Sequence, residues 1–196
     1  MVNIIGLTGQ SGAGKTTICK AFEKNNFKII NCDKIARKAT EKHTEGLIQI
    51  INYFGEDVLN SDNTLNRKAL SSICFNNKEK LNKLNSILHP IIFNLIKTEI
   101  SKFENDDYVV LDAPTLFESG ADKLCDKIIS VICDEKIRFE RIMKRDNISN
   151  NEIENRFKSQ KNEDFFISNS DFIIKNDKNI EYALNQVEKV INEIKK

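Results

Sequence analysis

Between a short apolar run at 2–8 and a helical pattern that begins at Thr16, the chain reads Gly9-Gln10-Ser11-Gly12-Ala13-Gly14-Lys15-Thr16. That is the spacing G-x-x-x-x-G-K-[ST] of a loop that wraps its backbone around phosphate oxygens. The glycines permit the close wrap, and the helix start offers unpaired N–H groups and the positive end of a dipole. Ser11, Gly12, Ala13, Gly14, Lys15, Thr16 and Thr17 are therefore the expected contacts of an ATP triphosphate. Lys15 would reach the β- and γ-phosphates, and the Thr16 hydroxyl would ligate Mg2+. A glycine turn that merely closes a strand–helix unit has no need of Lys-Thr at the helix start.

Other residues have types and positions that suit phosphoryl transfer. Val109-Val110-Leu111-Asp112 is an apolar strand ending in an acid. Asp112 reads either as a second magnesium contact through water or as a turn-initiating acid ahead of Pro114. Asp33 follows the second apolar run by two residues, at the carboxyl edge where open parallel sheets bind ligands. It could accept the proton of an acceptor hydroxyl, or simply cap the helix that follows. Arg37, four residues on, would either pair with Asp33 on one helix face or grip an anionic group of the acceptor. Arg138, Arg141 and Arg145 recur at helical steps, giving either a guanidinium lid over the transferred phosphoryl or a solvated basic face. His89-Pro90 sits at an expected bend and His43 is isolated. Two such histidines make no zinc site, and a histidine in a bend can be a structural hydrogen bonder as readily as a substrate contact.

The elements needed to position these groups follow from periodicity. A run at 2–8, a helix from Thr16 to about Asn25 and a second run at 27–31 make a βαβ unit, which implies a parallel sheet with helices packed on it. From 44 to 104 the pattern is helical almost throughout. Leu81, Leu84, Leu88, Ile91, Leu95 and Ile100 suggest a buried stripe, and Pro90 should kink that helix or start a new one. Strand patterns return at 108–112, 127–133 and 171–175, a charged helical region covers 135–164, and an amphipathic helix closes the chain.

The expectation is an α/β, three-layer P-loop fold with about five parallel strands, in a single domain. Its nucleotide-binding core would be 1–43 with 105–196, its helical substrate-binding insertion 44–104 and its lid region 135–164. At 196 residues the chain is long enough to bury a proper core, and its formal charge of +1 offers no general field for nucleic acid or an anionic membrane. No apolar run is long enough to span a bilayer and the N-terminus lacks the pattern of a secretory signal, so the expected location is the cytoplasm. The five cysteines form no Cys-x-x-Cys pair and read as reduced, packed thiols.

In order and spacing the chain resembles the dephospho-coenzyme A kinase family. The resemblance rests on 5–9 leading into the loop, Asp33-Lys34-Ile35-Ala36-Arg37, His89-Pro90, and the stretch 111–118. Arg141 with Arg145-Asp146, Arg156 with Ser159-Gln160, and 171–176 complete it. It implies ATP-dependent transfer of a phosphoryl group to the ribose 3′-hydroxyl of dephospho-coenzyme A. It would make Asp33 the catalytic base and turn Arg37, His89, Pro114, Leu116, Phe117 and Glu118 toward the acceptor. Arg141 and Arg145 would close over ATP, with Asn176 near its adenine. The chain departs from the family pattern at Asn31, Cys32, Thr115, Arg138 and Ser170. A P-loop kinase of another small acceptor (nucleoside, nucleotide or sugar acid) shares the same core, and a nucleotide-dependent switch protein is the reading from a different class.

Overall fold

The computed structural model describes residues 1–75 and 77–196. Its strands are β1 (Asn3–Gly9), β2 (Lys28–Asn31), β3 (Tyr108–Asp112), β4 (Lys127–Ile132) and β5 (Phe172–Lys175). The helices are α1 (Lys15–Lys24), α2 (Cys32–Lys38), α3 (Glu45–Phe54), α4 (Arg67–Phe75), α5 (Lys78–Ile100), α6 (Glu135–Asp146), α7 (Asn150–Lys158), α8 (Glu163–Ser168) and α9 (Ile180–Ile194).

The sheet has the order β2-β3-β1-β4-β5. β1 is parallel to both β3 and β4, and β4 is parallel to β5. From Ile5 onward β1 is buried without alternation, as expected of a central strand covered on both faces. Leu7 pairs with Asp112 and Gly9 with Val131, so the ends of β1, β3 and β4 line up at one edge. The loop 9–16 starts from that edge.

The chain divides into two compact units, 1–30 with 104–196, and 31–103. In the first, α1 packs on β1 and on α9, around a core that includes Ile5, Leu7, Ile18, Phe22, Val110, Ile129 and Val187. In the second, α2, α3 and α4 each contact α5, and Leu47, Ile50, Val58, Leu70 and Ile87 form a separate core. The helix that carries Asp33 and Arg37 thus falls in the helical unit.

Of the two outcomes expected at Pro90, a kink or a new helix, the second does not occur, because α5 continues through Pro90. The proline removes only the hydrogen bond to the Ser86 carbonyl, and residues on both sides keep the helical course. The expected stripe holds in part: Leu84 and Leu88 pack against the core of the helical unit beside the buried Ile87, whereas Leu81 is 42% exposed. The charged region 135–164 resolves into α6, α7 and the start of α8, each with its own side-chain cap.

Gly6 lies in the middle of β1 where a Cβ would stand 2.7 Å from Leu116 Cδ2 and 2.9 Å from Cys125 Sγ. Leu116 is fully buried and has little room to yield. Gly6→Val should therefore destabilise the fold by about 1–3 kcal/mol, read as a lower urea midpoint at unchanged slope.

Candidate active site

The geometry of the loop 9–16 is set at the start of α1. Gly12 and Gly14 hold φ of 80° and 89°, a region that side-chain-bearing residues rarely occupy. Gly14 is the residue before the helix, and no side chain caps it. By contrast, α2, α3 and α5 to α9 are capped by the side chains of Asn31, Thr44, Asn77, Asp134, Ser149, Asn162 and Asn179. Among the described residues, the N–H groups of Gly12, Gly14, Lys15 and Thr16 donate to no protein acceptor. Four open amides at the positive end of a helix form a cradle for an anion.

Asn176 closes the loop from below. Its Nδ2 donates to the Ala13 carbonyl at 2.7 Å and lies where a Cβ on Gly14 would have to go. Position 14 is therefore glycine for two reasons, its backbone conformation and its neighbour. Arg141 adds a second tie, donating from Nη1 to the Gly12 and Ala13 carbonyls at 3.4 Å and from Nη2 to the Asn176 carbonyl at 3.0 Å.

Lys15 makes an ion pair with Asp112, and both side chains are largely shielded. The acid at the end of β3 thus holds the lysine charge beside the open amides. Cys19, one helical turn from Lys15, has its thiol pushed up to about 11, first by burial and then by the Asp112 charge. The Thr16 side chain is exposed at the mouth of the loop.

The segment after β3 is tied to β1 by two hydrogen bonds, from the Ala113 N–H to the Leu7 carbonyl at 3.0 Å and from the Thr8 hydroxyl to the Pro114 carbonyl at 3.3 Å. Pro114 and Glu118 are exposed there. Leu116 is buried against Gly6, and Phe117 stacks edge-on against Phe165 with ring centroids 5.1 Å apart.

The three arginines of α6 do not form a solvated basic face. Arg138 is buried, with its guanidinium 4.4 Å above the Phe157 ring, and burial lowers its pKa. Arg141 binds the loop as described. Only Arg145 is exposed, and it makes two hydrogen bonds to the Asp146 carboxylate, at 2.6 and 2.9 Å. Asp146 also accepts from Arg156 at 2.6 Å. This clamp between α6 and α7 went unread in the sequence, although the Arg145-Asp146 and Arg156 types were visible.

In the helical unit, Asp33 is exposed in the first turn of α2. It is not the cap: Asn31 is, accepting from the Lys34 N–H at 2.9 Å. Arg37 is exposed as well and lines a cavity of about 370 Å3 with Thr40, Lys42 and Arg67. No ion pair joins Arg37 to Asp33 among the described residues. His89 is half-buried in α5, and its burial lowers its pKa. Of the other departures, Ser170 hydrogen-bonds to the buried Ser130 at 2.7 Å. Nothing in the structure explains Thr115, which is exposed. Among the described residues no group of three or more His, Cys, Asp or Glu could hold a metal, and no helix is long and apolar enough to cross a membrane.

Comparison with known proteins gives this geometry a family. The family model described as dephospho-CoA kinase matches residues 3–182. The chain belongs to the dephospho-CoA kinase family. A dephospho-CoA kinase from Fusobacterium nucleatum is 40% identical over 193 residues, spanning 98% of this chain and 99% of that protein. The crystal structure of a Thermus thermophilus protein superposes with a TM-score of 0.86 at 26% identity, covering 97% of this chain and 96% of that one. A dephospho-CoA kinase from Campylobacter jejuni gives a TM-score of 0.74 at 30% identity, covering 99% and 98%. As a dephospho-CoA kinase family member the chain is a kinase of P-loop fold that uses a nucleotide, in line with the sequence reading.

The Asp146 clamp has a pH signature. Hydrogen bonds from Arg145 and Arg156 hold its carboxyl well below the usual carboxylate range. A depressed native pKa stabilises the fold above the unfolded value of about 4 and is lost as pH falls through the native one. Urea titrations from about pH 6 down to about pH 2 should show a smaller loss of stability on acidification for Asp146→Asn than for the wild type.

Proposed function

We propose that the protein transfers the γ-phosphoryl group of ATP to the ribose 3′-hydroxyl of dephospho-CoA, giving CoA and ADP. Family membership supports the acceptor. The observation that carries the chemistry is the uncapped start of α1, where open amides stand beside Lys15 and Asp112. Ser11 to Thr17 would hold the triphosphate, and Lys15 would exchange its Asp112 partner for the β- and γ-phosphates as they arrive. Its positive charge then lies where negative charge spreads in the transition state.

Asp33 takes the proton of the acceptor hydroxyl in this reading. The freed oxygen attacks the γ-phosphorus, the bond from that phosphorus to the β,γ-bridging oxygen breaks, and ADP leaves with the electron pair. Its exposed place in the first turn of α2 supports that role, because Asn31 already caps the helix. Arg37, His89, Pro114, Leu116, Phe117 and Glu118 are assigned to the acceptor side. Of these Leu116 can contribute only by shaping the loop from within the core. The helical stretch 44–104 would form the acceptor lobe. A groove of about 420 Å3 within it, lined by residues including Gln49, Ile87, Pro90, Ile91 and Leu95, supports this. The region 135–164 would form the lid, with Arg141 and Arg145 serving the nucleotide and Asn176 lying near its adenine.

The residues present suit Mg2+. An exposed Thr16 hydroxyl and the Asp112 carboxylate are two oxygen donors with no surrounding acidic cage. Magnesium prefers such sites, filling its remaining positions with phosphate oxygens and water. When bound it would neutralise charge on the phosphates, with Thr16 and Asp112 holding it. The cytoplasm is the compartment we assign.

Protein supplied with ATP, magnesium and dephospho-CoA should form CoA, identified by mass, while nucleoside and sugar-acid acceptors run in parallel stay unmodified. Phosphorylation of one of those instead would overturn the acceptor assignment. Asp33→Asn should lower kcat by about 10²–10⁴-fold with little change in ATP affinity, and an unchanged kcat would remove Asp33 as base. Lys15→Ala should lower kcat/KM by about a thousandfold or more, measured in the same assay.

A further inference from the structure

Two amides of the loop 9–16 are already taken: the Ala13 N–H donates to the nearby Gln10 carbonyl at 3.1 Å, and the Ser11 N–H reaches a distant side chain. The Ser11 N–H donates to Gln160 Oε1 at 3.1 Å, across 149 residues of sequence. Because a backbone N–H can only donate, the carboxamide oxygen must face it, which fixes the orientation of the Gln160 side chain. The four amides that can receive phosphate begin at Gly12, where the chain turns to positive φ, so the capped amide sits just ahead of the cradle.

Gln160 is itself held on a short tether. Two residues past the end of α7, its N–H donates to the Phe157 carbonyl at 3.2 Å, and the Phe157 ring lies under the Arg138 guanidinium. Arg156, one residue earlier, is fixed to Asp146. The Arg138 backbone in turn abuts Gly12, where a Cβ would stand 2.8 Å from the Arg138 carbonyl oxygen. A chain of contacts therefore runs from α6 through α7 to the front of the loop. Beneath it lies a cavity of about 380 Å3, lined by residues that include Gln10, Cys133, Arg138, Phe157 and Gln160.

We propose that Gln160 is a positioning residue of the phosphate-binding loop. By holding the Ser11 N–H it sets the front half of the loop before nucleotide arrives, leaving the amides of Gly12, Gly14, Lys15 and Thr16 aimed at phosphate. It thereby couples the α6–α7 segment to the cradle. The inference rests on the reading of 9–16 as the nucleotide site, but its central observable, the Ser11 amide, is measured without nucleotide.

Amide hydrogen exchange followed by NMR on the nucleotide-free protein tests it, paired with KM and kcat for ATP. Gln160→Ala should speed exchange at Ser11 several-fold while α7 and α8 keep their protection, and should raise the KM for ATP by about tenfold, the loss of one hydrogen bond. Gln160→Glu, which keeps an acceptor at the same length, should restore Ser11 protection yet still bind ATP weakly, because it adds a negative charge beside the phosphates. Unchanged Ser11 exchange in Gln160→Ala overturns the proposal. So does a general loss of protection through α7 and α8, which would mark a merely structural role. Tighter nucleotide binding by Gln160→Ala also overturns it, since Gln160 would then be competing with phosphate. A wild type that makes no CoA would sink the proposed acceptor while Ser11 still reads out the brace.

Discussion

An α-helix leaves its first amides without partners, and what fills them decides much of this structure. Most helices here solve the problem with a side chain one residue before the start, chiefly asparagine. At α1 the residue in that place is Gly14, which has no side chain to offer. The open helix start then takes its shape from contacts made by other parts of the fold. Asn176 holds the Ala13 carbonyl, Arg141 holds two successive carbonyls, and Asp112 steadies Lys15. The supports arrive from the end of β5, from α6 and from the end of β3. The parallel sheet is the device that brings these strand ends to one edge.

The sheet also explains why the acid of β3 can meet the lysine of α1. Parallel register places Asp112 opposite Leu7, two residues before the loop leaves β1. A slip of one residue would turn the carboxylate to the other face of the sheet. Full burial of Val109, Val110 and Leu111 against their neighbours makes that slip costly. Core packing and site geometry are here the same constraint.

Much of this was legible in the chain itself. The loop motif, the βαβ unit and all five strands follow from residue types and periodicity, because those signals are local. The order of the sheet and its contacts are not, since they depend on pairings between distant segments. The α6 arginines show the difference. Helical spacing correctly put Arg138, Arg141 and Arg145 on one element, but it could not tell that Phe157 would stack on the first, loop carbonyls would occupy the second and Asp146 would hold the third. Asp33 is a parallel case, in which capping and catalysis compete for one residue in the sequence. The structure gives the cap to Asn31, and among the described residues the Asp33 carboxylate makes no ion pair.

The asparagines carry a consequence for the chemical ageing of the molecule. Asparagine side chains slowly lose ammonia to become aspartate. At Asn77, Asn162 and Asn179 the side-chain oxygen accepts from a helix amide, and among the described residues the side-chain N–H groups have no protein partner. Aspartate fills that role equally well, and its charge suits the helix dipole. Asn176 is used the other way round, through its N–H donor to a carbonyl. A carboxylate there would face the Ala13 oxygen with nothing to give. Where the reaction gives aspartate it keeps the needed acceptor at these helix starts but removes the needed donor beneath the loop, where Asn176 is buried.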